Sequence, residues 1–225
     1  GRICTFGTNF LIFAIIARFY GGDFFGKYSY ILNFFAIMVA FSDFGFSSIL
    51  GKDISQLRDN PHLYWGNYLI TRTLFNLIVI IISIVSAYFI RRDLFAILLV
   101  GSLALPFLAS RFFEPIFQVF ERPWYSFYTS ILYGVSYIIF IVLAFTTQKI
   151  FFFVLAYILA NTLYAFFAFY LSCRSVKPLF KINVSILKHI FKLAIPLGVS
   201  SRFVMLGNRI CVLMLAAIKS DHAEG

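Results

Sequence analysis

Three long stretches of this chain contain no charged residue and are almost entirely apolar: residues 73–90, 123–148 and 151–171. A hydrocarbon layer about 30 Å thick takes on the order of 20 helical residues to cross. Backbone polar groups inside that layer must be satisfied within the crossing segment itself, as they are in a helix. Because each stretch is near the required length, the pattern predicts helices that span a membrane.

The composition excludes a water-soluble fold. Of the 225 residues, 61% are hydrophobic and only 12% are charged, and the mean hydropathy is +0.91. A soluble protein of this size cannot hide so much apolar surface from water. A bilayer is therefore the expected solvent for most of the chain.

Four other apolar stretches are shorter or carry a charge, and we interpret them as spans as well. They are residues 3–17, between Arg2 and Arg18; 28–51, interrupted by Asp43; 94–110, which Pro106 kinks and which extends to Ile116 if Arg111 and Glu114 are tolerated; and 193–218, which contains Arg202 and Arg209. The sequence thus predicts an all-α, polytopic transmembrane helix bundle. A six-helix lobe over residues 1–172 precedes a basic connector over 173–192 and the first helix of a second lobe over 193–225. The chain begins without Met and shows no cleavable signal, and we expect it to be truncated at both ends.

The net charge of +10 comes from basic residues strung between the apolar stretches, which indicates topology signals rather than a nucleic-acid surface. One side of the membrane would hold Arg2, Lys52, Arg58, Arg111, Arg122, Arg174, Lys177, Lys181, Lys188 and Lys192. The opposite side would hold fewer: Arg18, Lys27, Arg91, Arg92, Lys149 and Lys219. Since Lys and Arg are enriched in cytoplasmic loops, this bias predicts a cytoplasmic N-terminus.

The connector contains five basic residues and no acidic one. Ile182, Ile186, Leu187, Ile190 and Phe191 share a helical stripe within it. Such a stripe beside lysines is typical of an amphipathic helix that lies on anionic lipid. A regulatory or partner-binding role for this helix is the alternative.

A faint internal repeat supports a two-lobe plan. Residues 9–26 align without gaps over residues 208–225, and both stretches contain an apolar helix end, a short polar connector and a closing glycine. This offset places the first helix over the seventh, as in transporters built from two parallel units of six helices.

Four stretches carry a resemblance to a known family. Residues 17–34 read as a helix end, a Gly-containing turn and Phe-Gly-x-Tyr, and residues 41–55 as an Asp-x-Gly helix end with a charged loop. Residues 113–125 contain Phe-Gln-x-x-Glu-Arg-x-x-Tyr, and residues 191–215 contain Pro-Leu-x-x-Ser. In these features the chain resembles the polysaccharide-exporter branch of the multidrug/oligosaccharidyl-lipid/polysaccharide superfamily, the O-antigen and related flippases. It departs from that pattern at Cys211, where members often carry Asp.

The resemblance implies two lobes around a central cavity in the bacterial cytoplasmic (inner) membrane. It implies alternating access, in which a polyprenyl-diphosphate-linked sugar headgroup crosses while its lipid tail stays in the bilayer, for export of O-antigen lipopolysaccharide or another surface polysaccharide. The expected partners are the lipid-linked oligosaccharide, membrane lipids and polysaccharide polymerase machinery. No nucleic acid, metal or cofactor is expected.

Arg202 and Arg209 are the candidate substrate-binding cations. A charge at mid-membrane costs on the order of 2.5 to 3.5 kcal/mol, so both side chains should face protein or water. Their spacing places them on one helical face about 10 Å apart. Guanidinium groups suit the diphosphate oxygens of the expected cargo. Pairing with carboxylates or carbonyl groups between the lobes is the alternative.

Four other charged residues are candidates for coupling or gating: Asp43, Arg72, Arg111 and Glu114. Asp43 is the only acid in the second span, where it would pair with a basic residue across the bundle, bind a coupling cation or mark a capped helix boundary. Arg72 opens the third span. Arg111 and Glu114 predict an ion pair on one helix face or a gate, with the polar side chain of Gln118 nearby.

Two other functions compete with transport of a lipid-linked sugar. An integral-membrane glycosyltransferase or ligase needs paired carboxylates or an acid–metal cluster, whereas Asp23, Asp93 and Asp221 stand alone in short connectors. We therefore expect a protein that is not an enzyme. A multidrug extruder of the same superfamily would carry cations, which Arg202 and Arg209 would repel.

Overall fold

The computed structural model describes residues 2–56, 61–194, 196 and 198. Its helices are α1 (Arg2–Asp43), α2 (Phe46–Gln56), α3 (Pro61–Ile90), α4 (Phe95–Leu103), α5 (Leu105–Leu108), α6 (Glu114–Val119), α7 (Pro123–Phe145), α8 (Ile150–Ser175) and, over residues 184–194, α9. Within the described residues no strand occurs, and α1 (from Thr5), α3, α7 and α8 are long and apolar enough to cross a membrane. The predicted all-α membrane bundle is therefore confirmed.

Helix α1 folds back on itself at Gly21. This residue has φ 75° and ψ −179°, a conformation that glycine adopts without the steric cost that a Cβ would add. The rings of Phe13 and Tyr28 lie 5.9 Å apart, whereas a straight helix would separate residues at this spacing by about 22 Å. The element is therefore a hairpin of two antiparallel arms, a first arm over residues 2–20 and a second arm over residues 22–43.

The stretch after α3 forms one interrupted rod over residues 95–119. Pro106 is the second residue of α5, and α4 ends just before it, at Leu103. Proline has no backbone N–H to continue the helical ladder, which explains the break. A 3₁₀ turn, Ser110–Phe113, then leads into α6. The kink predicted at Pro106 is confirmed, and the rod continues to Val119 through the charged residues that follow it.

The rods run alternately between two ends of the bundle: the hairpin end, where Gly21 lies, and the connector end, where Asp43 lies. At the hairpin end, the Tyr20 hydroxyl donates to the carbonyl of Phe145 at the end of α7 (3.5 Å). At the connector end, Arg72 of α3 contacts Asp43. In the described part of the chain the rods are the two arms of α1, α3, the interrupted rod, α7 and α8.

The prediction that Arg72 opens the third span is wrong. Helix α3 begins at Pro61, and Arg72 lies eleven residues further in, with 4% of its surface exposed. The uncharged window starts after Arg72 because Arg72 itself is charged, and Asn67 and Thr71 make the sequence before it less apolar. All three are buried in the bundle, where protein groups satisfy them, so the helix extends far beyond its apolar part.

The second span covers residues 22–43 rather than the predicted residues 28–51. Phe44 and Gly45 have positive φ values of 29° and 82°, so the helix stops at Asp43 and the chain turns into α2. Glycine allows this turn at little cost. Asp43 therefore lies at a helix boundary, one of the three positions considered from the sequence.

The connector differs from the expectation in two ways. Helix α8 runs to Ser175, so the connector begins after it rather than at residue 173. The predicted apolar stripe is split, because Ile186 and Ile190 of α9 are buried whereas Ile182 and Phe191 are exposed. Part of the stripe thus packs on the bundle instead of facing lipid.

Candidate functional site

A buried ion pair ties three elements together near the connector end. The Arg72 guanidinium donates to Asp43 Oδ1 at 3.2 Å and to the carbonyl oxygen of Ala109 at the end of α5. It also lies over the ring of Phe112, 4.0 Å from the centroid. The Arg72 side chain is 5% exposed and that of Asp43 is 27% exposed. The cation is thus enclosed, while its carboxylate partner faces an opening.

The local sequence explains why Asp43 has this position. Its carboxylate accepts hydrogen bonds from the hydroxyl and the backbone N–H (3.3 Å) of Ser47 in the first turn of α2. A carboxylate at a helix N-terminus satisfies backbone donors that have no partner within the helix. Asp43 therefore both caps α2 and pairs with a basic residue across the bundle.

A hollow of about 460 Å³, the connector-end hollow, opens beside this pair. Its lining residues come from both arms of α1, from α2 and from the interrupted rod: Phe6, Ala36, Val39, Ala40, Asp43, Ser47, Ala109, Arg111, Phe112, Glu114, Pro115 and Gln118. The structure thus brings Asp43, Arg111 and Glu114 around one hollow, with Arg72 directly behind Asp43. Gln118, which the sequence had only placed nearby, lies on the same wall.

The turn before α7 positions that wall. The backbone N–H of Arg122 donates to the carbonyl oxygen of Phe117 at 2.8 Å, and its guanidinium donates to the Tyr125 hydroxyl at 3.3 Å. Glu121 has a positive φ of 53°, which reverses the chain there. The Phe-Gln-x-x-Glu-Arg-x-x-Tyr pattern is therefore a closed turn that holds Gln118 next to the hollow.

A larger groove of about 890 Å³, the hairpin-end groove, lies at the opposite end. Arg91 borders it, donating to both carboxylate oxygens of Asp93 at 2.8 and 2.7 Å and lying 5.2 Å from the Tyr30 ring centroid. The hydrogen bonds between them raise the pKa of Arg91 and lower that of Asp93, so both stay charged. Lys27, paired with Asp23 at 2.9 Å, adds a second cation.

One face of the second arm connects the two openings. Small or polar residues recur on it every three or four positions: Gly22, Gly26, Ser29, Asn33, Ala36, Ala40 and Asp43. The first four line the hairpin-end groove and the last three line the connector-end hollow. A Cβ atom at Gly22 or Gly26 would meet no atom within 4 Å. We name this face the small-residue stripe; its spacing was visible in the sequence but was not singled out there.

The other predicted site residues fall elsewhere. Arg202 and Arg209 lie outside the described residues, as does most of the predicted seventh helix. Across the described ranges, no group of three or more His, Cys, Asp or Glu residues is arranged to hold a metal ion.

Comparison with known protein families gives a match over the whole chain. The model of a family described as "Polysaccharide biosynthesis protein" matches residues 1–225. No curated protein and no solved structure matches the chain.

Proposed function

Because the chain belongs to the polysaccharide biosynthesis protein family, we propose that it moves a polyprenyl-diphosphate-linked oligosaccharide across the bacterial cytoplasmic membrane by alternating access. The family and the membrane-spanning helices together indicate a membrane transporter that serves polysaccharide production. The observation that carries the finer proposal is the small-residue stripe, because it joins openings at the two ends of the bundle along a single helix face.

The stripe suits a sugar headgroup that passes while its tail stays in lipid. Small side chains leave room beside the helix, and the hydroxyl of Ser29 and the amide of Asn33 match the hydroxyl groups of a sugar. Cations border both openings, Lys27 and Arg91 at one and Arg111 at the other, and at short range they attract the diphosphate, although carboxylates border each opening as well. Arg202 and Arg209 are proposed to add to this attraction from the second lobe.

The connector end supplies the proposed gate. Asp43, held by Arg72, faces the same hollow as Arg111 and Glu114, which belong to the interrupted rod. A shift of that rod relative to the second arm would change the distances between these charges. We assign the four residues to gating at the cytoplasmic side, in keeping with the larger number of basic residues predicted for the connector end.

The test is to reduce the space beside the stripe by placing bulky side chains on it. Ala36→Trp and Ala40→Trp place a large side chain in the path, whereas Ile139→Trp puts the same side chain on an exposed apolar position of α7. Transport is measured as the appearance of labelled lipid-linked oligosaccharide on the far leaflet of proteoliposomes. We expect both stripe variants to lose at least ten-fold in rate at normal abundance, with the α7 control unchanged. Equal rates in all three would contradict the proposed path.

Two results would point to the competing functions. If the protein exports cationic dyes, and if the stripe variants block this export without changing transport of the lipid-linked sugar, a multidrug extruder would be favoured. Formation of a new glycosidic bond by the purified protein would favour a membrane glycosyltransferase or ligase.

A further inference from the structure

The segment before α9 is fastened to the start of α3 as a strap over residues 177–183. The Leu179 N–H donates to the carbonyl of His62, and the His62 ring nitrogen Nδ1 bonds the carbonyl of Lys177, both at 2.9 Å. The Asn67 side chain bonds the strap twice, donating to the carbonyl of Lys181 and accepting from the N–H of Asn183, again at 2.9 Å. The strap backbone therefore has a fixed course.

This fixed course leaves a row of apolar side chains exposed. We name Leu179, Phe180, Ile182 and Val184 the prong; their exposed fractions are 52%, 64%, 66% and 59%. Since hydrogen bonds to α3 hold the backbone, these side chains cannot rotate into the bundle together. Contiguous exposed apolar groups of this kind mark a surface that meets something other than water.

The prong continues an apolar face of α3. His62 and Asn67 hold the strap, and Leu74, Leu77 and Ile81 follow Asn67 at helical spacing, all more than half exposed. Leu74 lies about 10 Å along the axis from Asn67, and the helix end lies about 35 Å from Asn67, close to the thickness of the hydrocarbon layer plus part of one interface. The strap is thus at the level where acyl chains meet headgroups.

The chain on both sides of the prong carries charge of one sign. The chain from residue 173 to 192 contains five Lys or Arg and no Asp or Glu. Lys177, Lys181 and Lys188 are the basic residues nearest the prong in the chain, and long lysine stems reach past an apolar surface to place their ammonium groups among phosphates. A surface of this kind complements an anionic leaflet.

We propose that the prong inserts into the acyl–headgroup boundary of the connector-side leaflet, with Lys177, Lys181 and Lys188 binding the phosphates of anionic lipids. This assigns lipid anchoring to the strap rather than to the helical stripe of α9, whose inner residues pack on the bundle. The inference depends on the membrane fold alone and stands whether or not the chain moves a lipid-linked sugar.

The experiment uses the full chain in lipid nanodiscs with a single fluorophore on a cysteine, the three native cysteines being replaced by serine. The labelled variants are Phe180→Cys and, as a second prong position, Val184→Cys. Ile139→Cys on exposed α7 and Asp93→Cys in the hairpin-end loop serve as the lipid and water references. Quenching is measured with iodide in water and with lipids that carry a nitroxide near the headgroup.

We expect the prong labels to be quenched by the nitroxide lipids at least three-fold more than the label at Asp93→Cys, and to be shielded from iodide. Replacing Lys177, Lys181 and Lys188 by glutamine, or omitting anionic lipid, should at least halve this nitroxide quenching. Iodide quenching equal to that at Asp93→Cys would overturn the proposal. Protection from both quenchers would also overturn it, because it would mean that protein covers the prong.

Discussion

Arg72 is the residue whose placement depends most on its neighbours. Insertion scales put the cost of an arginine at the centre of a membrane helix at about 2.5 to 3.5 kcal/mol. Here the guanidinium has a carboxylate, a carbonyl oxygen and an aromatic face as partners. Removing only the cation would leave the Asp43 carboxylate half-buried without its counter-charge, and this loss is larger than the net contribution of the pair.

We expect Arg72→Leu to lower the free energy of unfolding by about 2 kcal/mol, below the range for a fully buried pair because Asp43 is partly exposed. Thermal melting in detergent micelles measures the change. Arg92→Leu, an exposed arginine in the 3₁₀ turn that follows the same helix, should cost less than about 0.5 kcal/mol. Adding Asp43→Asn to Arg72→Leu should recover part of the loss; no recovery would mean that the charge pair is not its cause.

A second carboxylate, Asp53 of α2, is buried outside the spans. It accepts a hydrogen bond from the Tyr68 hydroxyl at 3.3 Å and lies 3.8 Å from the imidazole of His189 in α9. Burial raises the pKa of Asp53 above its ordinary value, although His189 and Lys52 oppose the shift. The Tyr64 side chain also lies near this carboxylate.

Because the folded state holds the Asp53 proton more tightly than the unfolded chain does, this group adds stability as the pH falls through its raised pKa, and the gain is complete below the ordinary value of 3.8. At pH 7 the burial of the charged carboxylate destabilises the folded state. We therefore expect the melting temperature of the Asp53→Asn variant to be no lower than that of the parent. The melting temperature of the parent should rise relative to that of the variant as the pH falls from 7 to 4. Melting curves at several pH values measure this, with exposed Asp23→Asn as the control; a constant difference across the range would assign the effect to another group.

At the scale of elements, the strap and α3 are joined at a contact that only glycine permits. A Cβ atom on Gly66 would lie 2.0 Å from the carbonyl oxygen of Leu179 and 2.6 Å from its carbonyl carbon. Backbone atoms cannot yield as a flexible side chain does. Gly66 therefore fixes how closely the connector approaches the bundle.

We expect Gly66→Ala to displace the strap and to destabilise the protein by about 1 to 3 kcal/mol, as overpacking does. Amide hydrogen exchange over residues 177–183 should rise at least ten-fold. Gly7→Ala is the matched control, because a Cβ at Gly7 meets nothing within 4 Å and alanine favours a helix. Unchanged exchange in Gly66→Ala would show that the strap adapts without separating from α3.

The elements that could be predicted are those whose signal is local. Uncharged apolar stretches predicted the long helices. Pro106 predicted the break in the interrupted rod because a missing N–H disrupts the helix at the proline itself. The strap was not predicted, since its hydrogen bonds join Asn67 to a backbone more than a hundred residues away. The position of Arg72 was wrong for a similar reason: an apolar window cannot register polar groups whose partners belong to other helices.

The candidate site shows the same division. Asp43, Arg111 and Glu114 were chosen because charges near membrane helices are costly, and the structure places them around one hollow. The small-residue stripe was overlooked because glycine, alanine and serine carry no chemistry of their own. Its meaning appears only once two openings are found at its ends.

At the scale of the whole molecule, the two ends of the bundle differ in what they carry. The hairpin end has short turns and the wide groove, whereas the connector end has the buried ion pair, the strap and most of the basic residues. This asymmetry accords with a protein that receives its cargo on one side and releases it on the other.

We expect the connector end to face the cytoplasm. In intact cells, a membrane-impermeant maleimide should label Lys27→Cys at the hairpin end but not Lys52→Cys in α2, in chains without other cysteines. Both side chains are exposed, so access depends on the side of the membrane. Permeabilised cells should label both positions and thereby control for reactivity. Labelling of Lys52→Cys alone in intact cells would reverse the assigned orientation.

The link between Asp43 and Arg72 has a consequence for biogenesis. A nascent chain leaves the ribosome from its N-terminus, so the arm that ends in the carboxylate reaches the insertion machinery before the arginine does. When α3 follows, the Asp43 carboxylate already lies at the depth that Arg72 will occupy. The helix that carries the arginine therefore enters the bilayer beside its counter-charge. The order of the two residues along the chain thus favours co-translational assembly of this half of the bundle.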